Sequence, residues 1–461
     1  MTRLGPDTLA SLPSDVSRPA FDRRALQPGI VHLGIGAFAR AHLLPLTDAA
    51  IAARGDLRWG VVGVSLRAPD TRDALAPQQG LYTLALRDAQ GARLQVLGCL
   101  LQLLVAPEDE PAVVARIAAP DTRIVSLTVT EKGYHAEAGG AADLIARALQ
   151  QRRARGQGGL TLTSLDNLPS NGQVLQRCVR QRAGTLDAGL AAWIDTHCSF
   201  PCSMVDRIVP RSTEADCSQV AAALGVTDAW PVVGEPFLDW AIEDRFVADR
   251  PDWAVGGARF VPDASPWEQL KLRMVNGSHS ALAYLGALLG LPTVDRAVAD
   301  PELHAFVDAL MREEIEATLP ALPDLDVAAY RVRLLQRFAN PALQHRLLQI
   351  AMDGSQKIPQ RWLATVRDRL ASGQGIVRLA LCVAAWLRFI DGRDEQGQAL
   401  PLDDPLADAL RQARRAPDGG VGFEPVFGEL SRDRRFVHAV ESASQALARQ
   451  GLRQALAARD G

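Results

Sequence analysis

The sequence predicts an α/β chain in two parts: a doubly wound α/β domain over residues 1–264, then a mostly α-helical domain over residues 265–461. Three observations carry this. Short apolar runs ending in polar turns alternate with helical patterns through the first part, as in parallel sheets whose strands are joined by helices. From about Ser265 the apolar spacing becomes that of long helices. A length of 461 residues also exceeds what one ordinary core supports, so two or three domains are expected.

The first element that bears on function runs from Pro28 to His42. It reads as a strand entering a glycine turn, Gly34-Ile35-Gly36-Ala37-Phe38, and then a helix. Glycines let backbone approach a phosphate, and a helix N-terminus faces the anion, so this reads as the start of a Rossmann-type dinucleotide-binding domain, the alternative being an ordinary strand–helix turn. The pattern is GxGxF, with Ala39 where a third glycine often stands, and alone it is a weak signal. Trp59 to Leu66 is a second short buried strand. Asp70 follows it, placed to accept hydrogen bonds from a ribose, while the nearby Arg67 blurs the choice between NAD and NADP.

Further on, Tyr82–Arg87 and Arg93–Gly98 form a hairpin with Asp88–Ala92 as its turn. A helix over Glu108–Ala118 leads to a strand over Arg123–Val129, which ends in Thr130-Glu131-Lys132-Gly133-Tyr134. Polar groups at the carboxyl end of a strand sit where ligands bind in open parallel sheets, which makes Glu131 a cofactor candidate. A helix over Ala141–Arg155 and a strand over Leu160–Leu165 lead to a second polar turn, Asp166-Asn167-Leu168-Pro169-Ser170-Asn171-Gly172. Phe200–Pro210 is extended and carries Asp206 and Arg207. Helices are expected over Pro301–Leu319, Val327–Arg337, Pro341–Met352, Arg361–Ala371 and Gly375–Ile390, with a polar loop over Asp391–Pro405 before a last helical stretch.

Between the two parts lies Trp267 to Ser280. Projected as a helix at about 100° per residue from Glu268, Lys271 falls roughly 60° to one side, Asn276 about 80° and His279 about 20° to the other. Leu272, Val275 and Leu282 flank these groups. A lysine among apolar neighbours loses hydration of its charged form, which lowers its pKa and suits it to general-base work near neutral pH. The competing reading is an amphipathic helix with a charged edge.

Composition bounds the partners. Hydrophobic residues make up 48% and charged residues 22%, and the net charge is -3, which gives no case for nucleic-acid or anionic-membrane binding. Met1 to Asp15 lacks the apolar stretch of a signal peptide, and no run of roughly 18 apolar residues is present. The six cysteines have no CxxC spacing, and no His/Cys pair near Cys198 and Cys202 completes a metal site. A reduced, cytoplasmic protein without a metal is expected, a monomer or small homo-oligomer acting on a small molecule.

A nucleotide-binding sheet plus a lysine-centred helix points to hydride transfer. None of Tyr82, Tyr134, Tyr284 or Tyr330 has a lysine four residues later, so Lys271 is the leading base, and Asn276 and Asn167 are candidate oxyanion donors.

Taken together, these blocks resemble the polyol-specific long-chain dehydrogenase/reductase (mannitol dehydrogenase) family. The resemblance rests on Gly34-Ile35-Gly36-Ala37-Phe38 with Arg40 and His42, Thr130 to Tyr134, Asp166 to Pro169 with Asn171-Gly172, Met204 to Ile208, and Lys271 with Asn276 and His279. It implies Lys271 as general base, Asn276 and His279 holding substrate and alkoxide, and Asn167 as a second oxyanion amide. It further implies Asp206 as a substrate or site-organising contact and Glu268 as a gate for proton exchange. An N-terminal dinucleotide-binding domain, a helical C-terminal domain and an active site between them are also implied, with no metal. Phe200 to Pro210, the stretch around Met274 and Asn276, and Asp353 to Arg361 are closest in wording to fructuronate reductases. Lys357 and Arg361 are the nearest cations for a sugar-acid carboxylate. Leu165 stands where a cysteine often precedes the Asp-Asn-Leu-Pro block. His32 and His42 read as packing or turn histidines.

The expectation is an NAD-dependent oxidoreductase interconverting D-mannonate and D-fructuronate. Its rivals are a mannitol-type polyol dehydrogenase and a non-catalytic NAD-sensing protein on the same scaffold.

Overall fold

The computed structural model describes residues 2–129, 133–322 and 325–457. The chain divides into two compact units, residues 1–268 and 269–461.

The first unit is organised by five parallel strands: β1 (Ile30–Leu33), β2 (Val61–Ser65), β3 (Leu100–Val105), β4 (Ile124–Leu127) and β5 (Thr161–Ser164). Their order is β3-β2-β1-β4-β5. The chain therefore starts in the middle, runs to one edge and returns to build the other, and the reversal between β1 and β4 is where open sheets bind ligands. Every residue of β1, β2, β4 and β5 is buried, as parallel strands covered on both faces must be. One face packs Val31 and Val125 against Val113, Leu144, Leu175 and Ile194 of four helices. On the other face Ile30, Val61 and Ile124 join a core with Ile51, Trp59, Trp240 and Trp253.

Strand β3 was not expected. It is an edge strand with partly exposed positions, and its leucine-rich run lacks the alternation that separates a strand from a buried helix segment. The hairpin forms with a tighter turn than expected: Tyr82–Asp88 pairs with Gly91–Leu97, and Ala89 and Gln90 alone connect them. Val232–Gly234 adds a parallel strand to it. A second small sheet joins Ser203–Asp206, Asp239–Glu243 and Ala258–Val261.

The second unit is mostly helical. The helix expected over Pro341–Met352 is confined to Leu347–Ala351, because Asn340 holds the amide of Ala342 in a turn and Arg346 keeps an extended backbone. The Pro301–Leu319 pattern changes pitch along its length: α over Pro301–Ala309, π over Leu310–Ile315, then a 3-10 turn over Glu316–Thr318. Among the described residues no helix is long and apolar enough to cross a membrane.

Asn171, at the start of helix Asn171–Leu186, shows how the first unit fixes its loops. Its buried amide donates to the carbonyls of Ser164, Asp166 and Ser203 at 3.2, 3.0 and 2.7 Å and accepts the amide of Ser203 at 3.0 Å. It thus ties β5 to the second sheet. Asn171→Ala leaves these groups unpaired inside, and a loss of about 2–4 kcal/mol is expected. The check is denaturant unfolding, with a lowered midpoint and an unchanged slope.

Candidate active site

The expected site residues fall into a set on each unit. In the first unit, Gly34 turns the chain after β1 with φ +92, and a Cβ there would meet the carbonyl oxygen of Thr128 at 2.0 Å. Only glycine fits. Gly36 is exposed and caps the short helix Ala37–Ala41, and a Cβ on it would meet nothing closer than 3.9 Å. The first intrahelical bond of that helix is Arg40 N–H to Gly36 O at 3.2 Å. The amides of Ala37 and Phe38 therefore have no intrahelical acceptor, which suits them to an anion. Phe38 lies against the His42 ring at 4.0 Å, and His42 Nδ1 bonds the Phe38 carbonyl at 2.6 Å. His32 is fully buried between the hydroxyls of Ser126 and Thr128. Both histidines take the packing and turn roles expected of them. Asp70 is exposed at the first residue of helix Asp70–Leu75, beyond the end of β2. Glu131 lies outside the described residues.

After β5 the polar turn is held from several sides. The Asp166 carboxylate accepts the Val129 amide at 2.9 Å and the Tyr134 hydroxyl at 2.8 Å. Gly172 lies where a Cβ would meet the Phe200 carbonyl at 2.5 Å. Ser170 has φ +50, and its amide donates to Glu268 at 2.9 Å, which ties buried Glu268 to the same loop. Asn167 is exposed within this braced turn. Asp206 is buried at the end of its strand, opposite Asp239 in the antiparallel register. Arg207 is structural: it donates to the carbonyls of Ala41 and Phe237.

The helical stretch that opens the second unit, begun at Ser265 in the first, is not a uniform α-helix. Ser265–Leu270 is α, Lys271–Asn276 is π, and Gly277–Leu288 is α again. The Gly277 amide bonds the Leu272 carbonyl, five residues back. The wider turn lies between Lys271 and Asn276 and resets their angular relation from that of a regular helix at about 100° per residue. All residues of Gly277–Leu288 are buried, so the amphipathic reading with a solvated charged edge is also set aside. Lys271, Asn276 and His279 are 6%, 8% and 9% exposed.

The His279 ring stacks on Phe338 at 5.0 Å and meets His345 edge-on at 5.1 Å. Burial, with His345, Arg361, Arg337 and Lys357 nearby, holds its pKa well below the usual histidine value, so His279 is neutral. Burial and Lys357 lower His345 to about 4. Arg361 donates to the Ser280 hydroxyl at 2.8 Å and Lys357 to the Ile350 carbonyl at 3.3 Å. The structure thus brings Lys357 and Arg361 to the His279 neighbourhood. It adds Arg337 and His345, which no local motif marks and which lie far along the chain from Lys271. Among the described residues no group of three or more His, Cys, Asp or Glu is arranged to hold a metal.

Two family models match nearly end to end: the mannitol dehydrogenase Rossmann domain over residues 28–255, and the mannitol dehydrogenase C-terminal domain over residues 263–448. The chain belongs to the mannitol dehydrogenase family. It is an oxidoreductase of that family. It is 41% identical to the D-mannonate oxidoreductase of Escherichia coli K12, over 96% of this chain and 98% of that one. Another relative, the E. coli K12 protein named "Uncharacterized oxidoreductase YeiQ", is 40% identical over 98% of this chain and 99% of its own length. The structure of Pseudomonas fluorescens mannitol 2-dehydrogenase in ternary complex with NAD and D-mannitol superposes with a TM-score of 0.92. The two are 34% identical, with 99% of each chain covered. This chain thus has the Rossmann-like N-terminal unit and mostly helical C-terminal unit of a mannitol dehydrogenase structure.

The buried neutral histidines predict a pH signature. Burial lowers His32 to about 3. An unfolded chain protonates this ring near pH 6.5 while the folded chain does not, so acidification below that favours unfolding. The slope is about 1.4 kcal/mol per pH unit for one such proton. Asp48, pushed up to about 6 by burial, works the opposite way, so the readout is a difference between proteins. Thermal unfolding from pH 7 to 5 should show a shallower acid loss in His32→Gln than in wild type; equal slopes would contradict the assignment.

Proposed function

We propose that this oxidoreductase interconverts D-mannonate and D-fructuronate, with NAD as the dinucleotide and Lys271 as the proton carrier. The observation that carries the choice of a sugar acid is the cationic surround of His279, made of Lys357, Arg361 and Arg337. A carboxylate is held best by charge-assisted hydrogen bonds from such groups. The similarity to the E. coli D-mannonate oxidoreductase points the same way.

The residues present fit a dinucleotide. Gly34 and Gly36 leave space for close approach, and the amides of Ala37 and Phe38 suit a pyrophosphate. Asp70 is exposed for ribose hydroxyls, and Glu131 is a second candidate there. NAD, when bound, supplies the hydride acceptor. The P. fluorescens relative contains NAD, which supports that choice over NADP.

Lys271, as the free amine, takes the hydroxyl proton of mannonate while the carbinol hydrogen departs as hydride. In the reducing direction its ammonium returns that proton. Asn276 and Asn167 steady the developing alkoxide through their amide N–H groups. Neutral His279 offers one ring N–H to a substrate hydroxyl. Asp206 holds substrate, and Glu268 passes the proton between Lys271 and solvent. Lys357 and Arg361 take the carboxylate.

A second reading is a mannitol 2-dehydrogenase-type enzyme acting on a neutral alditol, favoured by the match to the D-mannitol complex. Initial rates separate the two: D-mannonate should be oxidised well with NAD and D-mannitol poorly, whereas turnover of mannitol alone would overturn the sugar-acid reading. Lys357→Ala and Arg361→Ala should each raise KM for mannonate by about 10- to 100-fold, the worth of one charge-assisted hydrogen bond, with little effect on mannitol. Lys271→Ala should lower kcat by about 100- to 10,000-fold while NADH still binds. NADH binding with no turnover of any aldonate or alditol by wild type would instead indicate a sensor.

A further inference from the structure

One buried hydrogen-bond chain in the first unit does no chemistry in the proposed reaction, yet it ends on the glycine turn. His32, in the middle of β1, is paired in register with Ser126 of β4. Its Nδ1 lies 2.8 Å from the Ser126 hydroxyl, and its Nε2 lies 2.9 Å from the hydroxyl of Thr128. The Thr128 hydroxyl donates to the Gly34 carbonyl at 2.6 Å.

The protons follow from this geometry. A threonine hydroxyl has one proton, and Thr128 spends it on Gly34. Toward His32 it therefore accepts, so Nε2 carries the ring proton. Nδ1 is then the acceptor and takes the hydroxyl proton of Ser126. Direction runs one way, from Ser126 through His32 and Thr128 to Gly34.

What the chain secures is a single peptide plane. The Gly34 carbonyl also accepts the Gly36 amide at 2.7 Å, and the other end of that peptide, the Ile35 amide, reaches the Val64 carbonyl at 3.2 Å. Gly34 has φ +92 and no Cβ to oppose a change of backbone state. Without the Thr128 hydroxyl, this carbonyl loses a fixed donor and the turn gains the freedom that glycine allows. The amides of Ala37 and Phe38 follow directly from that turn.

We propose that Ser126, His32 and Thr128 are positioning residues for the dinucleotide: their hydroxyl–imidazole–hydroxyl relay holds the Gly34 peptide so that the amides after it meet the pyrophosphate. The proposal rests on the assignment of the glycine turn to NAD. It assigns the relay an effect on dinucleotide affinity and none on the chemistry at the sugar.

The experiment is NADH titration by fluorescence on the full-length protein, alongside steady-state kinetics and amide exchange of residues 34–38. Thr128→Val keeps the shape and removes the hydroxyl; Thr128→Ser keeps the hydroxyl. Thr128→Val should weaken NADH binding by about tenfold and speed exchange in the turn, with kcat at saturating dinucleotide and KM for the sugar within about twofold of wild type. Thr128→Ser should bind as wild type does. Ser126→Ala, a milder change at the far end of the relay, should weaken binding a few-fold in the same direction. If Thr128→Val fails to fold, Ser126→Ala decides, and wild-type affinity there overturns the relay. Wild-type affinity in a folded Thr128→Val overturns it too, as does a loss spread equally over kcat and the sugar KM. A wild-type protein that binds no NADH overturns the dinucleotide assignment itself, which is a different result.

Discussion

A lysine, an asparagine and a histidine are carried into the interior on one helical stretch whose remaining residues are largely apolar. Polar groups in such surroundings cost about 1–3 kcal/mol each when they lose their partners. The stretch also carries a π-turn, bounded by Lys271 and Asn276. Single π-turns inside α-helices are rare and are frequent at functional sites. The widened turn separates these two side chains differently from a regular helix.

The surroundings of the stretch explain why it stays in place. Trp362 donates to the Gly277 carbonyl at 2.9 Å, and a Cβ at Gly277 would press on the Arg361 carbonyl at 3.1 Å. Arg273 pairs with Asp368 and donates to the Thr318 carbonyl. Two further π segments, Leu310–Ile315 and Pro359–Leu363, belong to this helical unit. In the first unit the same logic is applied to loops instead of a helix. Asp166, Asn171, Gly172 and Glu268 each fix one side of the turn that carries Asn167, and Thr128 fixes the turn that carries Gly34. Groups on braced loops are held in position before any ligand arrives, which lowers the ordering cost of the binding proposed for them.

Much of this was legible in the sequence. Alternation of short apolar runs with polar turns marked β1, β2, β4 and β5, because buried parallel strands end where their polar groups can reach ligand or solvent. The glycine turn was legible because only glycine can occupy Gly34. Lys271, Asn276 and His279 were visible as polar groups among apolar neighbours. Other features left no local trace. Strand β3 is a leucine run without alternation. The π-turn is a shift of backbone register, the Gly277 amide reaching the Leu272 carbonyl, and no residue type specifies it. Arg337 and His345 join the His279 surround from distant parts of the chain. The relay through His32 needs the β1–β4 register before Ser126 and Thr128 become its partners.

The central claim is that a dehydrated amine at position 271 carries the proton of the reacting hydroxyl. Chemical rescue tests it most directly: Lys271→Ala enzyme is assayed for mannonate oxidation with NAD, with a series of small primary amines of graded basicity added. The crippled rate should recover in proportion to the free-base amine concentration and rise with amine basicity, while NADH affinity stays constant. A Lys271→Ala enzyme as active as wild type, or one whose low rate is indifferent to every amine, would contradict it.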